Sequence, residues 1–156
     1  MKRLVIYTDA SVIGGCEDSE YQAASLALWQ RFIQGTHTLA LSAHTLREIQ
    51  GAPEAVRKHL RDVPEQHQLV FPDSQEASDL AEAYLRHGVV GPGSRADALH
   101  VALASAGRTD VLVSWNFKHI VNLGRIRLFQ AVNIENGYGS IEIRTPREVI
   151  GDEEGV

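Results

Sequence analysis

The length, composition and charge of the chain already exclude several classes of protein. Its 156 residues fit one domain of ordinary size. Hydrophobic residues make up 44% and charged residues 22%, which is typical of a globular protein and not of a disordered tail or a fibre. The chain has fifteen Lys and Arg residues and twenty Asp and Glu residues, which give a net charge of −5. Proteins that bind nucleic acids usually have a basic surface, and this composition does not indicate one. A nucleic-acid substrate would require metal ions or a local basic patch.

The cysteine content and the N-terminus predict the compartment. A single cysteine, Cys16, excludes an intrachain disulfide and a zinc site built from cysteines. No apolar run is long enough to span a bilayer, so we expect no membrane association. The apolar stretch after Met1-Lys2-Arg3 is too short for a signal peptide. We therefore expect a cytoplasmic protein.

Short β-like runs alternate with longer helical ones along the chain, which predicts an α/β fold with a parallel sheet of four to five strands. The predicted domain covers residues 1–150, and residues 151–156 form an acidic C-terminal tail. The predicted strands are Leu4–Tyr7, Thr38–Leu41, Leu69–Phe71, Val111–Val113 and Ile141–Ile143, of which the first and fourth are central. The predicted helices are Ala23–Ile33, Ser42–Gly51, one after Pro53, Gln75–His87, Ala96–Ala106, Leu123–Asn133 and one from Pro146, while Gly14-Gly15 and Gly88–Gly93 form loops.

Several polar residues lie where the predicted strands end or in the helices that follow. Asp9 comes directly after the first strand, Glu48 and Asp97 lie in helices, and Ser114 and Asn116 follow the fourth strand. In a parallel sheet, ligands bind beyond the carboxyl ends of the strands, where these residues would converge. Oxygen ligands of this kind suit Mg²⁺ or Mn²⁺.

Each of these residues also has a purely structural interpretation. Asp9 and Asn116 could each serve only a turn, through a side-chain hydrogen bond to the backbone. The stretches Thr45–Glu48 and Ser94–Asp97 both have the spacing of a capping box, in which the acidic residue serves the start of its own helix. The functional interpretation therefore depends on the combination of residues.

Further side chains near these positions extend the candidate site. His100 lies three residues after Asp97 on the same helix face and is either a metal ligand or a packed neighbour. Trp115 and Phe117 could stack on RNA bases, although core packing is the expected role of at least one of them. The most cationic stretch of the chain begins at Lys118 and includes His119, Arg125 and Arg127.

Four segments of the chain resemble the four motifs of PIN domains, and the resemblance extends over about residues 3–150. The first three motifs contain Asp9, Glu48 and Asp97. The four segments are Tyr7–Ile13, Thr45–Ile49, Arg95–Ala102 and Leu112–Phe117. In the fourth segment Asn116 stands where the family usually has an aspartate, which puts a fourth carboxylate and a second metal in question.

The resemblance implies an α/β/α sandwich and a metal-dependent endoribonuclease that hydrolyses RNA phosphodiester bonds. Many bacterial members are VapC-type toxins of toxin–antitoxin pairs, so a cognate antitoxin and a homodimer are the implied protein partners. The implied catalytic and metal-binding residues are Asp9, Glu48 and Asp97, with Asn116 as a further Mg²⁺ or Mn²⁺ ligand. The residues implied around the metal or the phosphate are Ser11, Ser114, His100 and Lys118.

Two other functions are compatible with the same residues. A catalytically weak PIN-like domain could act as an RNA-binding or protein-interaction module, and Asn116 and the acidic composition favour this alternative. A phosphatase of the haloacid-dehalogenase type would use Asp9 as a nucleophile. Those enzymes have a second aspartate two residues later, where this chain has Ser11.

Overall fold

The computed structural model describes residues 2–153, except for the side chains of residues 152 and 153. Its strands form one parallel sheet in the order β3-β2-β1-β4-β5, which confirms the predicted fold class and the central position of β1 and β4. The strands are β1 (Val5–Thr8), β2 (Thr38–Ser42), β3 (Gln68–Phe71), β4 (Val111–Val113) and β5 (Glu142–Arg144). The helices are α1 (Ala10–Gly15), α2 (Gln22–Gln34), α3 (Ala43–Ile49), α4 (Glu54–Arg61), α5 (Gln75–Arg86), α6 (Arg95–Ala106), α7 (Leu123–Glu135) and α8 (Pro146–Glu153).

The central strands β1 and β4 are largely buried because helices cover both faces of the sheet. Neighbouring side chains along a strand point to opposite faces, so Ile6 and Tyr7 enter different cores. Tyr7, Ala40 and Leu112 pack with residues of α5, α6 and α7 on one face. On the other face, Ile6 packs with residues of α1, α2, α4 and α8. The result is the three-layer α/β/α sandwich that was predicted.

The register of the sheet brings the ends of three strands together. Thr8 of β1 is paired with Val113 of β4, so Asp9 and Ser114 leave the sheet side by side. β2 lies on the other side of β1, with Tyr7 paired with Ala40. Three segments therefore meet at one edge of the sheet: the first turn of α1, the first turn of α3 and the segment after β4.

Three local predictions are wrong. Gly14-Gly15, predicted as a loop, forms the end of α1, a helix that Asp9 caps. The capping box predicted for Thr45–Glu48 does not form, because Ser42 caps α3 three residues earlier and Glu48 lies in the last turn. The box predicted for Ser94–Asp97 is also absent, since the Ser94 side chain makes no capping hydrogen bond.

The ends of two helices are informative. Gly35 ends α2 in the left-handed conformation (φ 78°), which a residue without a Cβ adopts at little cost, as the sequence predicted. α8 extends to Glu153, into the predicted acidic tail, and residues 154–156 of that tail lie outside the described residues. Over residues 2–153, no helix is both long and apolar enough to cross a membrane.

Candidate functional site

Asp9 is a buried carboxylate held in one orientation by two serines. Its Oδ1 accepts hydrogen bonds from the backbone N–H (3.1 Å) and the hydroxyl (2.6 Å) of Ser11. Its Oδ2 accepts a hydrogen bond from the Ser114 hydroxyl at 2.7 Å. The predicted turn role of Asp9 is therefore present, and the two serines that were predicted near the metal both contact Asp9. The side chain has no Lys or Arg partner among the described residues.

The environment of Asp9 is suited to a bound cation. A carboxylate offers about four lone-pair directions, of which the serines use three, so one direction on Oδ2 remains. Burial raises the pKa of Asp9, and the nearby charge of His100 together with the serine hydrogen bonds only partly opposes that effect. The nearby charge of Glu48 raises the pKa further. A divalent cation would relieve the cost of a buried anion, so the residues present fit Mg²⁺ or Mn²⁺.

Glu48 belongs to a hydrogen-bonded chain that crosses the interior from α3 to β1. The Nε2–H of His100 donates to Glu48 Oε1 at 2.6 Å. On the other side of the ring, His100 Nδ1 lies 2.8 Å from the Tyr7 hydroxyl. That hydroxyl also lies 2.8 Å from Ser42 Oγ and 3.3 Å from Thr45 Oγ1. His100 is 2% exposed and is thus fixed on both ring nitrogens.

His44 adds a second imidazole beside Glu48. Its Nε2 lies 3.7 Å from Glu48 Oε2 and donates to the backbone carbonyl of Ala96 at 3.2 Å. The rings of His44 and His100 are 4.4 Å apart, and a ligand atom from each of His44, Glu48 and His100 lies within 4.8 Å of the others. Burial lowers the pKa of His44, and the charge of His100 lowers it further.

Glu48 itself is ionised more readily than an ordinary glutamate. Burial opposes its ionisation, but the hydrogen bond from His100 and the charges of His100 and His44 outweigh burial and lower the pKa of Glu48.

The His44–Ala96 hydrogen bond also connects α3 to the start of α6, where Asp97 lies. Asp97 is half-buried and has no hydrogen-bond partner among the described residues. Whether Asp97 joins Asp9 and Glu48 around one cation stays a prediction.

The segment after β4 has one buried and one exposed aromatic residue. Trp115 is 5% exposed, stacks on Tyr21 with ring centroids 4.4 Å apart and donates to Ser25 Oγ at 2.8 Å. Phe117 is 47% exposed and Lys118 is exposed, so both are available to a ligand.

Asn116 closes the turn after β4. Its side-chain Oδ1 accepts a hydrogen bond from the backbone N–H of His119 at 2.9 Å. Its own backbone N–H donates to the Ser114 hydroxyl, which in turn donates to Asp9. Asn116 therefore stabilises a turn through a side-chain hydrogen bond, as the structural interpretation of the sequence predicted. A role as metal ligand stays a prediction.

Sequence reasoning missed His44 and Tyr7. The signal for His44 was available, because it lies four residues before Glu48 and therefore on the same face of α3. No comparable signal existed for Tyr7, which looks like an ordinary strand residue. Its hydroxyl acquires a role only when His100, distant in sequence, packs against it.

Several solved structures are similar to the chain, and three of them are described below. The first is VapBC2 from Rickettsia felis bound to a DNA fragment from its promoter (TM-score 0.57, 13% identity, covering 91% of this chain and 98% of that chain). The second is FitAcB from Neisseria gonorrhoeae (TM-score 0.55, 14% identity, covering 90% and 97%). The third is FitAB bound to an IR36 DNA fragment (TM-score 0.54, 14% identity, covering 90% and 94%). No protein-family profile matches the sequence, and no curated protein is significantly similar to it. At these identities the similarity shows a common fold, an α/β/α sandwich of the PIN-like type.

Proposed function

We propose that the chain is a metal-dependent endoribonuclease and the toxin of a toxin–antitoxin pair. The observation that carries the proposal is the position of two acidic residues near the carboxyl edge of a PIN-like sheet. Asp9 directly follows β1, and Glu48 is hydrogen-bonded to His100, which lies 2.8 Å from the Tyr7 hydroxyl of the same strand. The resemblance of the sequence motifs to PIN domains supports RNA as the substrate. The similarity of the fold to VapBC2 and FitAB supports an antitoxin as the protein partner.

In this proposal the cation is Mg²⁺ or Mn²⁺, held by Asp9, Glu48 and Asp97 with Asn116 nearby. When bound, it neutralises charge on the phosphate and makes a water molecule easier to deprotonate. The protein's own contribution is orientation, because Ser11 and Ser114 fix the Asp9 carboxylate through neutral hydroxyls and leave its negative charge intact. Lys118 is exposed on the segment after β4, and in this proposal it would contact RNA phosphates.

A second candidate function has specific support. The oxygen of Asn116 is engaged in a turn, and Oε1 of Glu48 accepts a hydrogen bond from His100. A domain in which the Asn116 oxygen and Glu48 Oε1 already accept hydrogen bonds could bind RNA or a protein partner without cleaving RNA at a useful rate.

RNA cleavage separates the two candidates. Wild-type protein, Glu48→Gln and Asp9→Asn would be incubated with fluorogenic single-stranded RNA and Mn²⁺. Loss of a metal ligand should lower the cleavage rate by about 100-fold or more. Glu17→Gln is the matched control, because Glu17 also accepts a hydrogen bond from a histidine, His59, at 2.6 Å. Equal rates for wild type and both site variants would exclude the nuclease and favour the binding module.

A further inference from the structure

The cluster formed by His44, Glu48 and His100 differs chemically from a carboxylate site. It offers two imidazole nitrogens and one carboxylate oxygen, all within 4.8 Å of one another. Imidazole suits zinc and other transition metals, whereas Mg²⁺ prefers oxygen. We propose that these three residues form a binding site for a zinc-class cation such as Zn²⁺ or Co²⁺, which shares Glu48 with the proposed Mg²⁺ or Mn²⁺ site.

The distances in the cluster are close to those of a metal site. In a tetrahedral zinc site with bonds of about 2.0–2.2 Å, neighbouring ligand atoms are about 3.3 Å apart. Here His100 Nε2 and Glu48 Oε1 are 2.6 Å apart, and His44 Nε2 and Glu48 Oε2 are 3.7 Å apart. Small side-chain movements would therefore place all three groups around one cation. His44 would exchange its hydrogen bond to the Ala96 carbonyl for the metal bond.

Tyr7 provides the outer support that such a site requires. Metal-ligating histidines almost always donate the N–H of their other ring nitrogen to a fixed partner. When His100 Nε2 binds the cation, the ring proton lies on Nδ1, 2.8 Å from the Tyr7 hydroxyl oxygen, which can accept it. The same hydroxyl can then donate to Ser42 Oγ at 2.8 Å. A proton carried on a binding nitrogen moves to the other ring nitrogen or is released to solvent when the cation binds. Tyr7 therefore acts as a positioning residue.

The cluster is also reachable. The Glu48 side chain is 32% exposed and that of His44 is 13% exposed, while His100 forms the buried back of the site. Because Glu48 is also assigned to the Mg²⁺ or Mn²⁺ site, a zinc-class cation would withdraw Glu48 from it and inhibit cleavage. This last consequence rests on the proposed function, whereas binding of the zinc-class cation does not.

Zn²⁺ and Co²⁺ binding to the untagged, EDTA-treated full chain tests the inference. Zn²⁺ would be followed by calorimetry and Co²⁺ by its visible absorption, which reports nitrogen ligation. We expect one equivalent to bind, and we expect His44→Gln to weaken binding by about tenfold or more. His59→Gln is the matched control, because the His59–Glu17 pair has a similar contact (2.6 Å) and exposure (18% and 38%) but no third ligand within the part of the chain that the structure describes. His59→Gln should bind like wild type.

Two further variants keep the result interpretable. Tyr7→Phe retains the buried ring and should weaken Zn²⁺ binding by about tenfold while shifting the Co²⁺ spectrum. Glu17→Gln should leave Zn²⁺ affinity within about twofold, since Glu17 pairs with His59 and lies outside the cluster. Wild type that binds no Zn²⁺, or His44→Gln that binds it equally well, would overturn the inference. Loss of Zn²⁺ binding in His44→Gln, with no effect of Asp9→Asn on Mn²⁺ or RNA cleavage, would support it while excluding the nuclease.

Discussion

The two best-defined carboxylates of the candidate site are held in opposite ways. Asp9 is 4% exposed and is surrounded by hydroxyl and backbone N–H groups, and burial raises its pKa. Glu48 is partly exposed and paired with imidazole, and its pKa is lowered. Hydroxyl groups fix the direction of a carboxylate without neutralising it, whereas imidazole also brings a variable charge. At one edge of the sheet, the Asp9 carboxylate, which suits a hard cation such as Mg²⁺, therefore lies next to the cluster of two imidazoles and the Glu48 carboxylate.

The largest effect that would test this comparison concerns Mn²⁺ affinity. Asp9→Asn and Asp97→Asn should each weaken Mn²⁺ binding by about 100-fold, because each removes a charged oxygen ligand. In EDTA, Asp97→Asn should melt at the wild-type temperature, since its carboxylate has no hydrogen-bond partner among the described residues. Calorimetry and thermal unfolding by circular dichroism provide the two measurements. A sharply lower melting temperature in EDTA would instead indicate a structural role for Asp97.

The packing beneath the Asp9 side of the site predicts the next largest effect. A Cβ added at Gly15 would lie 2.5 Å from Ser25 Oγ and 2.9 Å from Trp115 Nε1. Gly15→Ala should therefore reduce the free energy of unfolding by about 1–3 kcal/mol. Gly14→Ala is the matched control in the same helix, because a Cβ there meets nothing within 4 Å. It should be neutral or stabilising by about 0.5–1 kcal/mol. Urea unfolding of both variants gives the comparison, and equal destabilisation would contradict it.

Removing a polar neighbour from each of the two carboxylates, Asp9 and Glu48, should change the free energy of unfolding by unequal amounts. Ser114→Ala leaves the buried Asp9 Oδ2 without its donor and the Asn116 N–H without its acceptor, at a cost of about 1–2 kcal/mol. The His44→Gln change on the partly exposed side should alter the free energy of unfolding by no more than about 0.5 kcal/mol. Chemical denaturation of the metal-free variants measures both values. A larger loss in the free energy of unfolding for His44→Gln than for Ser114→Ala would contradict this prediction.

The smallest expected effect concerns Cys16, the residue that follows α1. Burial raises the pKa of the Cys16 thiol to about 12, and the charge of Glu17 adds to this effect. Because the native state retains the proton longer than the unfolded chain, the stability contributed by this group is complete below about pH 9 and is lost as the pH approaches 12. At pH 8 the native thiol should not react with a disulfide reagent, whereas the chain in urea should react fully. Rapid reaction of the folded protein would show that this end of α1 opens readily.

Most of the sheet could be predicted from the sequence because the information is local. β4 has the predicted bounds, Val111–Val113, since a strand buried on both faces is a short apolar run bounded by polar residues. α1 could not be predicted in the same way. It has six residues, ends in two glycines and depends on the Asp9 cap and on packing for its stability.

The candidate site divides in the same manner. Asp9 and Ser114 were predictable neighbours because parallel strands in register end together. The pairing of Glu48 with His100 was not predictable, because it depends on how α3 and α6 dock across 52 residues of chain. The spacing of Thr45 and Glu48 favoured a capping box, yet docking of the two helices places Glu48 against an imidazole.

The hydrogen bond from the Trp115 backbone N–H to Ser11 Oγ (2.9 Å) gives the site a natural optical signal. Ser11 also holds Asp9, so we expect a ligand that reorients the carboxylate to move the indole relative to the Tyr21 ring stacked on it. The other tryptophan, Trp29, donates instead to the His59 carbonyl, so its fluorescence provides an internal reference. Emission from Trp115 can therefore follow occupancy of the Asp9 side without any attached dye.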